Sequence, residues 1–139
     1  MNKKNIKGVH AILLTPDKKV ILQEKTLDYK PNPGRISMFG GGAELNEMPL
    51  DVLRRELVEE LDLELGDDDF EELGIYYKNN ELDEADYGVK IYVAKNIVPE
   101  DLKLSEGERI IVDIPEIIIQ NEKLTRITKL ALEDLLKLI

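Results

Sequence analysis

Between Gly41 and Leu63 the chain reads G-x5-E-x7-R-E-L-V-E-E-L-D-L, which fixes a glycine and six charged residues at set spacing. At helical periodicity Glu56 and Glu60 stand one above the other with Glu59 beside them, all within about one and a half turns. Leu50, Leu53, Leu57 and Leu61 fall on a separate apolar stripe, so one face can enter a core while the adjoining face carries carboxylates at its edge. Carboxylates held that close repel unless something cationic sits among them, and the simplest reason to keep three is a divalent metal.

The ends of this helix are written locally. Pro49 suits the first helical position, where a missing N–H is no loss. Met48 before it offers no side-chain acceptor, so the first free N–H groups need partners elsewhere, Asn46 or Glu47 being the nearest. At the other end Asp62 can take the left-handed conformation that stops a helix, or the helix runs a turn further to Gly66; neither outcome disturbs Glu56 to Glu60.

With these residues in register the segment resembles the signature of the Nudix hydrolases, G-x5-E-x7-R-E-U-x-E-E-x-G-U with U aliphatic. Gly41, Glu47, Arg55, Glu56, Leu57, Glu59, Glu60 and Leu63 match in place. Asp62 departs, standing where the family has glycine.

The resemblance implies cleavage of a nucleoside diphosphate linked to a further group X, by water attack at phosphorus, with Mg²⁺ or Mn²⁺ on the pyrophosphate. It makes Glu56 and Glu60 the principal metal ligands, with Glu59 a third ligand or the group that orients the water. The carbonyl of Gly40 matches a backbone ligand, and Gly41, Glu47 and Arg55 match positions that support the ligands, the last two as an ion pair bracing the loop against the helix. A further catalytic carboxylate from a distant loop falls best on Glu106, with Glu108 as the alternative. Lys25 and Arg35 would lie near the phosphates, and Phe39, where many relatives carry proline, would floor the pocket or fill the core. The reaction implied is (d)NTP pyrophosphohydrolysis, with a nucleotide sugar or dinucleotide polyphosphate as alternative substrate, or a non-catalytic nucleotide-sensing module. Against that last reading, none of Glu56, Glu59 and Glu60 is eroded.

Elsewhere the chain alternates strand and helix signals. Gly8 to Leu14 and Lys19 to Glu24 read as a hairpin about Thr15-Pro16-Asp17-Lys18. Ile36 to Phe39 reads as a short strand feeding the glycines, Phe70 to Lys78 and Tyr87 to Lys95 as paired strands, and Arg109 to Ile114 as another. From Leu124 onward Ile127, Ala131, Leu135 and Leu138 repeat at helical spacing. Interleaving without a regular βαβ repeat favours a mixed sheet covered by helices on both faces. The resemblance implies the same α/β/α sandwich, in a single domain over residues 1–139.

With 139 residues and no cysteine the chain is long enough for a core without staples, in keeping with a reducing, cytoplasmic setting. The N-terminal run offers neither signal peptide nor membrane span. A net charge of −10 argues against duplex nucleic acid as a partner, since that binding depends on Lys and Arg displacing counterions. A small nucleotide remains compatible, because a bound cation inverts the local field. The acidic stretches Gly66 to Glu72 and Glu81 to Asp86 lack calcium-loop spacing and read as solvated turns. Tyr29, Tyr76, Tyr77, Tyr87 and Tyr92 read first as sheet-face packing, and the lone His10 takes no catalytic role. Ile117-Ile118-Ile119 reads as core or as the patch of a homodimer.

Overall fold

A computed structural model describes residues 6–29, 33–44, 46–77, 88–105, 107 and 109–139. Strand β1 (Ile6–Leu14) organises the sheet. Along one edge it pairs in parallel with β6 (Gly88–Ala94), which in turn pairs antiparallel with β5 (Phe70–Tyr77). Its other edge is divided: Leu13 and Leu14 face β2 (Val20–Glu24), whereas Gly8 to Ala11 face β4 (Phe39–Gly42). Strand β2 carries β7 (Arg109–Asp113) on its far side and, past Ile21, β3 (Ile36–Ser37) on its near side. This is a mixed sheet with helices on both faces, as the alternation of elements predicts.

The fork corrects one expectation. Ile36 to Phe39 is not one strand but two, broken at Met38. Strands β1 and β2 diverge past Leu13 and Ile21, so the chain must change partners, from β2 to β1, as it crosses the gap. Met38 at the crossing lies outside either ladder, and the Gln23 amide donates to its carbonyl at 3.1 Å, replacing the bond a ladder would have supplied. The gap left by the fork opens the cavity described below.

Period-two alternation assigns β1 to both cores at once. Val9, Ala11 and Leu13 join Phe39 and Tyr92 under helix α1 (Pro49–Leu61), whose Val52, Leu53, Leu57 and Leu61 are wholly buried. Ile12 and Leu14 join Leu22, Ile91 and Val93 under α3 (Arg126–Leu138), with the short α2 (Pro115–Ile118) at its side. The face α3 buries is rotated from the predicted stripe: Thr128, Ala131, Leu132 and Leu135 are buried, while Leu138 is exposed. Thr128 enters the core because its hydroxyl pairs with that of Thr125 at 2.7 Å. On the outer side of this layer Tyr76 donates to Asp134 at 2.6 Å; burial, then the Asp134 carboxylate, raises the phenol pKa above its ordinary value. Of the isoleucine run, Ile118 is buried, Ile119 packs against the core and Ile117 is exposed.

Helix α1 stops at Leu61. Asp62 takes φ 55° and ψ 37°, the left-handed cap, and its N–H returns to the Val58 carbonyl at 2.9 Å. At the start no side chain caps Met48. Strands β5 and β6 end at Tyr77 and begin at Gly88; Lys78, Tyr87 and the acidic stretch Glu81 to Asp86 lie outside the described residues. No helix among the described residues is long and apolar enough to cross a membrane.

Candidate active site

The glycines of β4 meet the acidic face of α1. Gly40 has φ +141°, and a Cβ there would stand 2.1 Å from the Val9 carbonyl oxygen, so only glycine lets β4 lie this close to β1. The Gly40 N–H donates to Glu60 Oε1 at 3.0 Å. Glu60 is buried, and this bond ties its carboxylate to the glycine run. At Gly41 a Cβ would sit 2.5 Å from Glu56 Oε1, so the missing side chain is the space the Glu56 carboxylate occupies.

Arg55 organises the rest. Its Nε and Nη2 donate to Glu47 Oε2 and Oε1 at 3.1 and 2.9 Å, and its Nη1 to Glu56 Oε1 at 2.9 Å. Glu59 Oε1 lies 3.7 Å from Nη1. Bonds from Arg55, then the Glu44 N–H, hold the Glu47 carboxyl below the usual carboxylate range. The Glu47 bond raises the Arg55 pKa further still. Gly40, Gly41, Glu47, Arg55, Glu56 and Glu60 therefore form one connected group.

Glu59 stands apart, more than half exposed on the outer face of α1, where with Arg54 and Glu64 it lines an open hollow. Among the described residues no three His, Cys, Asp or Glu side chains are drawn together tightly enough to hold a metal as they stand. The physical reason is local: Arg55 sits between Glu56 and Glu59, and the Gly40 N–H takes Glu60, so internal donors offset the repulsion that sequence reasoning assigned to a cation. The donor set itself fits a hard dication, being carboxylate oxygens and backbone carbonyls, with the Glu56 carboxylate in the open space at Gly41.

Against the same glycines lies a cavity of about 570 Å³, in the gap between β2 and β4. Its lining includes Lys7, His10, Lys25, Tyr29 and Arg126, and among the described lining residues there is no carboxylate. Thr125 and Thr128 close it from the start of α3. Arg126 also donates to the Tyr77 carbonyl at 2.9 Å. The cation-rich lining in a chain of net charge −10 is a feature the sequence reading missed, because Lys7 and Arg126 come from opposite ends of the chain.

Arg35 and Phe39 are not among the residues that line this cavity. Arg35 donates to the Leu124 carbonyl at 2.7 Å and is not part of the cavity lining; it clips β3 to the segment leading into α3. Phe39 is fully buried and packs with Val9, Leu53 and Leu57, so it fills the core and does not floor the pocket. Glu106 and Glu108 lie outside the described residues. Their neighbour Ser105 donates through N and Oγ to the carbonyls of Glu60 and Glu59 at 2.9 and 2.7 Å, which attaches this loop to the acidic end of α1.

A further network was also missed. Glu24, buried at the end of β2, receives Arg109 Nε at 2.8 Å and Lys123 Nζ at 2.9 Å. It joins β2, β7 and the turn before α3 at one point.

The NUDIX domain family model matches residues 4–127. Among solved structures, the E. coli ORF135 protein is 24% identical, with 97% of this chain and 91% of that chain covered and a TM-score of 0.76. The MutT protein from Methanosarcina mazei Go1 is 21% identical over 99% of this chain and 96% of its own, with a TM-score of 0.74. A mutT/nudix family protein from Listeria innocua is 20% identical over 97% and 95%, with a TM-score of 0.71. No curated protein matches at a significant level.

Proposed function

The chain belongs to the Nudix family and is a Nudix hydrolase, and from that premise we propose that it splits nucleoside triphosphates, (d)NTPs, to the monophosphate and pyrophosphate with Mg²⁺ or Mn²⁺ bound. The observation that carries this reading is the shared glycine run: Gly40 and Gly41 touch the Glu56 and Glu60 carboxylates and also border a cavity lined by Lys7, Lys25 and Arg126. A carboxylate set beside a cation-rich cavity suits a ligand that brings a dication to the carboxylates and carries anionic charge beyond a single diphosphate into the cavity.

In this reading Glu56 and Glu60 with the Gly40 carbonyl hold the dication, and Glu59, the exposed member, serves as a further ligand or turns the attacking water. A bound Mg²⁺ or Mn²⁺ supplies electrophilic polarisation of the phosphate oxygens. Arg55 and Glu47 orient Glu56, and Lys25 contacts the phosphate chain. Glu106 remains a proposed contributor from the loop after Ser105. The whole of residues 1–139 is read as one domain, because α3, which continues past the family match, closes the cavity. A cytoplasmic setting is proposed from the absence of cysteine and the nucleotide substrate.

Incubating the purified chain and Mg²⁺ or Mn²⁺ with the ribo- and deoxynucleoside triphosphates, a nucleotide sugar and a dinucleotide polyphosphate tests this. Monophosphate and pyrophosphate release from a triphosphate, at higher kcat/KM than for the other classes, is the expected result. Preference for the sugar or the dinucleotide would replace the substrate, and no turnover of any phosphoanhydride would remove the reading.

A further inference from the structure

Lys25 is only 6% exposed, yet its side chain lines the cavity and among the described residues it forms no ion pair. Among the described residues its ammonium faces an aromatic ring, standing 4.1 Å from the centroid of Tyr29. Removing a cation from water without an anion is costly, so a lysine this buried needs compensation from some source. The ring quadrupole supplies part of it. It differs from a carboxylate in one respect that matters here, because a ring attracts the cation without cancelling its charge.

The ring is placed by backbone geometry. The Tyr29 N–H and the Gly34 N–H both donate to the Thr26 carbonyl, at 3.1 and 2.9 Å, closing the turn after β2. The Lys25 N–H donates to the Arg35 carbonyl at 2.8 Å, which anchors the base of the same loop to the start of β3. Tyr29 and Lys25 are therefore brought together by a closed loop.

We propose that Tyr29 is a positioning residue: its ring holds the Lys25 ammonium at the cavity wall with its charge uncompensated, so that an anionic group of the substrate receives it. This rests on reading the cavity as the place of the substrate's phosphates.

Magnesium tripolyphosphate is titrated into the full chain by calorimetry, alongside dNTP hydrolysis. Tyr29→Leu and Tyr29→Met are expected to weaken tripolyphosphate binding roughly 3- to 10-fold, and Tyr29→Phe, which keeps the π face, to match wild type. Lys25→Gln is expected to weaken it more, and adding Tyr29→Leu to Lys25→Gln to cost less than about 2-fold further. In hydrolysis the Tyr29 variants raise KM and leave kcat within about 2-fold, a split that general loosening of the fold would not produce. Met in place of Tyr keeps apolar bulk, so a folding failure of Tyr29→Leu does not decide the matter. Equal losses from Tyr29→Leu in the presence and absence of Lys25, no loss at all, or no tripolyphosphate binding by wild type would each overturn the proposal. If wild type binds tripolyphosphate with the predicted dependence on Tyr29 but hydrolyses no dNTP, the positioning role stands and the substrate reading falls.

Discussion

Arg55 grips Glu47 with two of its nitrogens and Glu56 with the third, so a single guanidinium spans the loop before α1 and a carboxylate of its acidic face. A planar fork is needed for this: lysine would reach one of the two acids as a point charge and leave the other unheld.

Arg55→Lys is therefore expected to lower kcat/KM or metal affinity about 10- to 100-fold while far-UV circular dichroism stays unchanged. Glu47→Gln, which preserves shape and one acceptor, should cost less than Arg55→Lys. A Mn²⁺ titration of each variant reads the effect without turnover. Wild-type metal affinity and activity in Arg55→Lys would show that the bridge to Glu56 is incidental.

The adjoining glycines make a paired prediction with opposite readouts. A methyl group on Gly40 meets the Val9 carbonyl, part of a rigid strand, in a backbone conformation that only glycine adopts readily. Gly40→Ala is expected to lower Tm by several degrees, on the scale of about 1–3 kcal/mol for forced backbone strain. A methyl on Gly41 meets first the carboxylate end of the Glu56 side chain, which can turn aside at the cost of its Arg55 bond where a strand backbone cannot. Gly41→Ala should keep Tm close to wild type and lose activity because Glu56 is displaced. Thermal melts set beside initial rates separate the two; equal Tm losses would contradict the assignment.

How much of this was legible depends on how far apart the partners lie in sequence. The signature helix was readable because Gly41, Glu47, Arg55, Glu56 and Glu60 act on one another within one turn-and-helix unit, where spacing alone dictates facing. The α/β/α layering followed from period-two strands between amphipathic helices. The break at Met38 was not readable, since it arises from the divergence of β1 and β2, whose pairing partners are set by the whole sheet. Nor was the buried face of α3: Thr128 looks polar until its hydroxyl is paired with Thr125, and Leu138 looks like core until the helix phase is known. The cavity cations escaped for the same reason, as Lys7 and Arg126 meet only after β1 and α3 have packed.

Charge at the α1 carboxylates can be removed without changing shape. In Glu60→Gln the amide oxygen can still accept the Gly40 N–H, so the glycine run is expected to stay in place. Activity with Mg²⁺ should fall on the order of 100-fold or more, and the same holds for Glu56→Gln and Glu59→Gln, the scale of losing an oriented ligand or general base. Among the three, Glu59→Gln is the informative one, because its carboxylate is more than half exposed and stands 3.7 Å from Arg55 Nη1. A loss in kcat with metal affinity retained would assign Glu59 to the water, whereas a parallel loss of both would assign it to the metal. Full activity in Glu60→Gln would sink the ligand assignment.

Glu24 carries the last prediction, and it concerns stability. Hydrogen bonds from Lys123 and then Arg109 hold its carboxyl below the usual range, against the opposing effect of burial. A folded-state pKa lowered in this way stabilises the fold at pH values above that of the unfolded chain, about 4.3 for glutamate. The contribution shrinks as pH falls below that value and is lost once pH passes through the lowered folded-state value, where Glu24 is protonated in both states. Glu24→Gln, which leaves Arg109 and Lys123 without their shared acid, is expected to melt at least ~3 °C below wild type at pH 7. The gap should narrow as the buffer is taken from pH 5 down through the carboxylate range, a trend read from thermal melts at fixed ionic strength. A gap that stays constant from neutral to strongly acid pH would mean that Glu24 stabilises the junction of β2, β7 and the turn before α3 by packing and not by its charge.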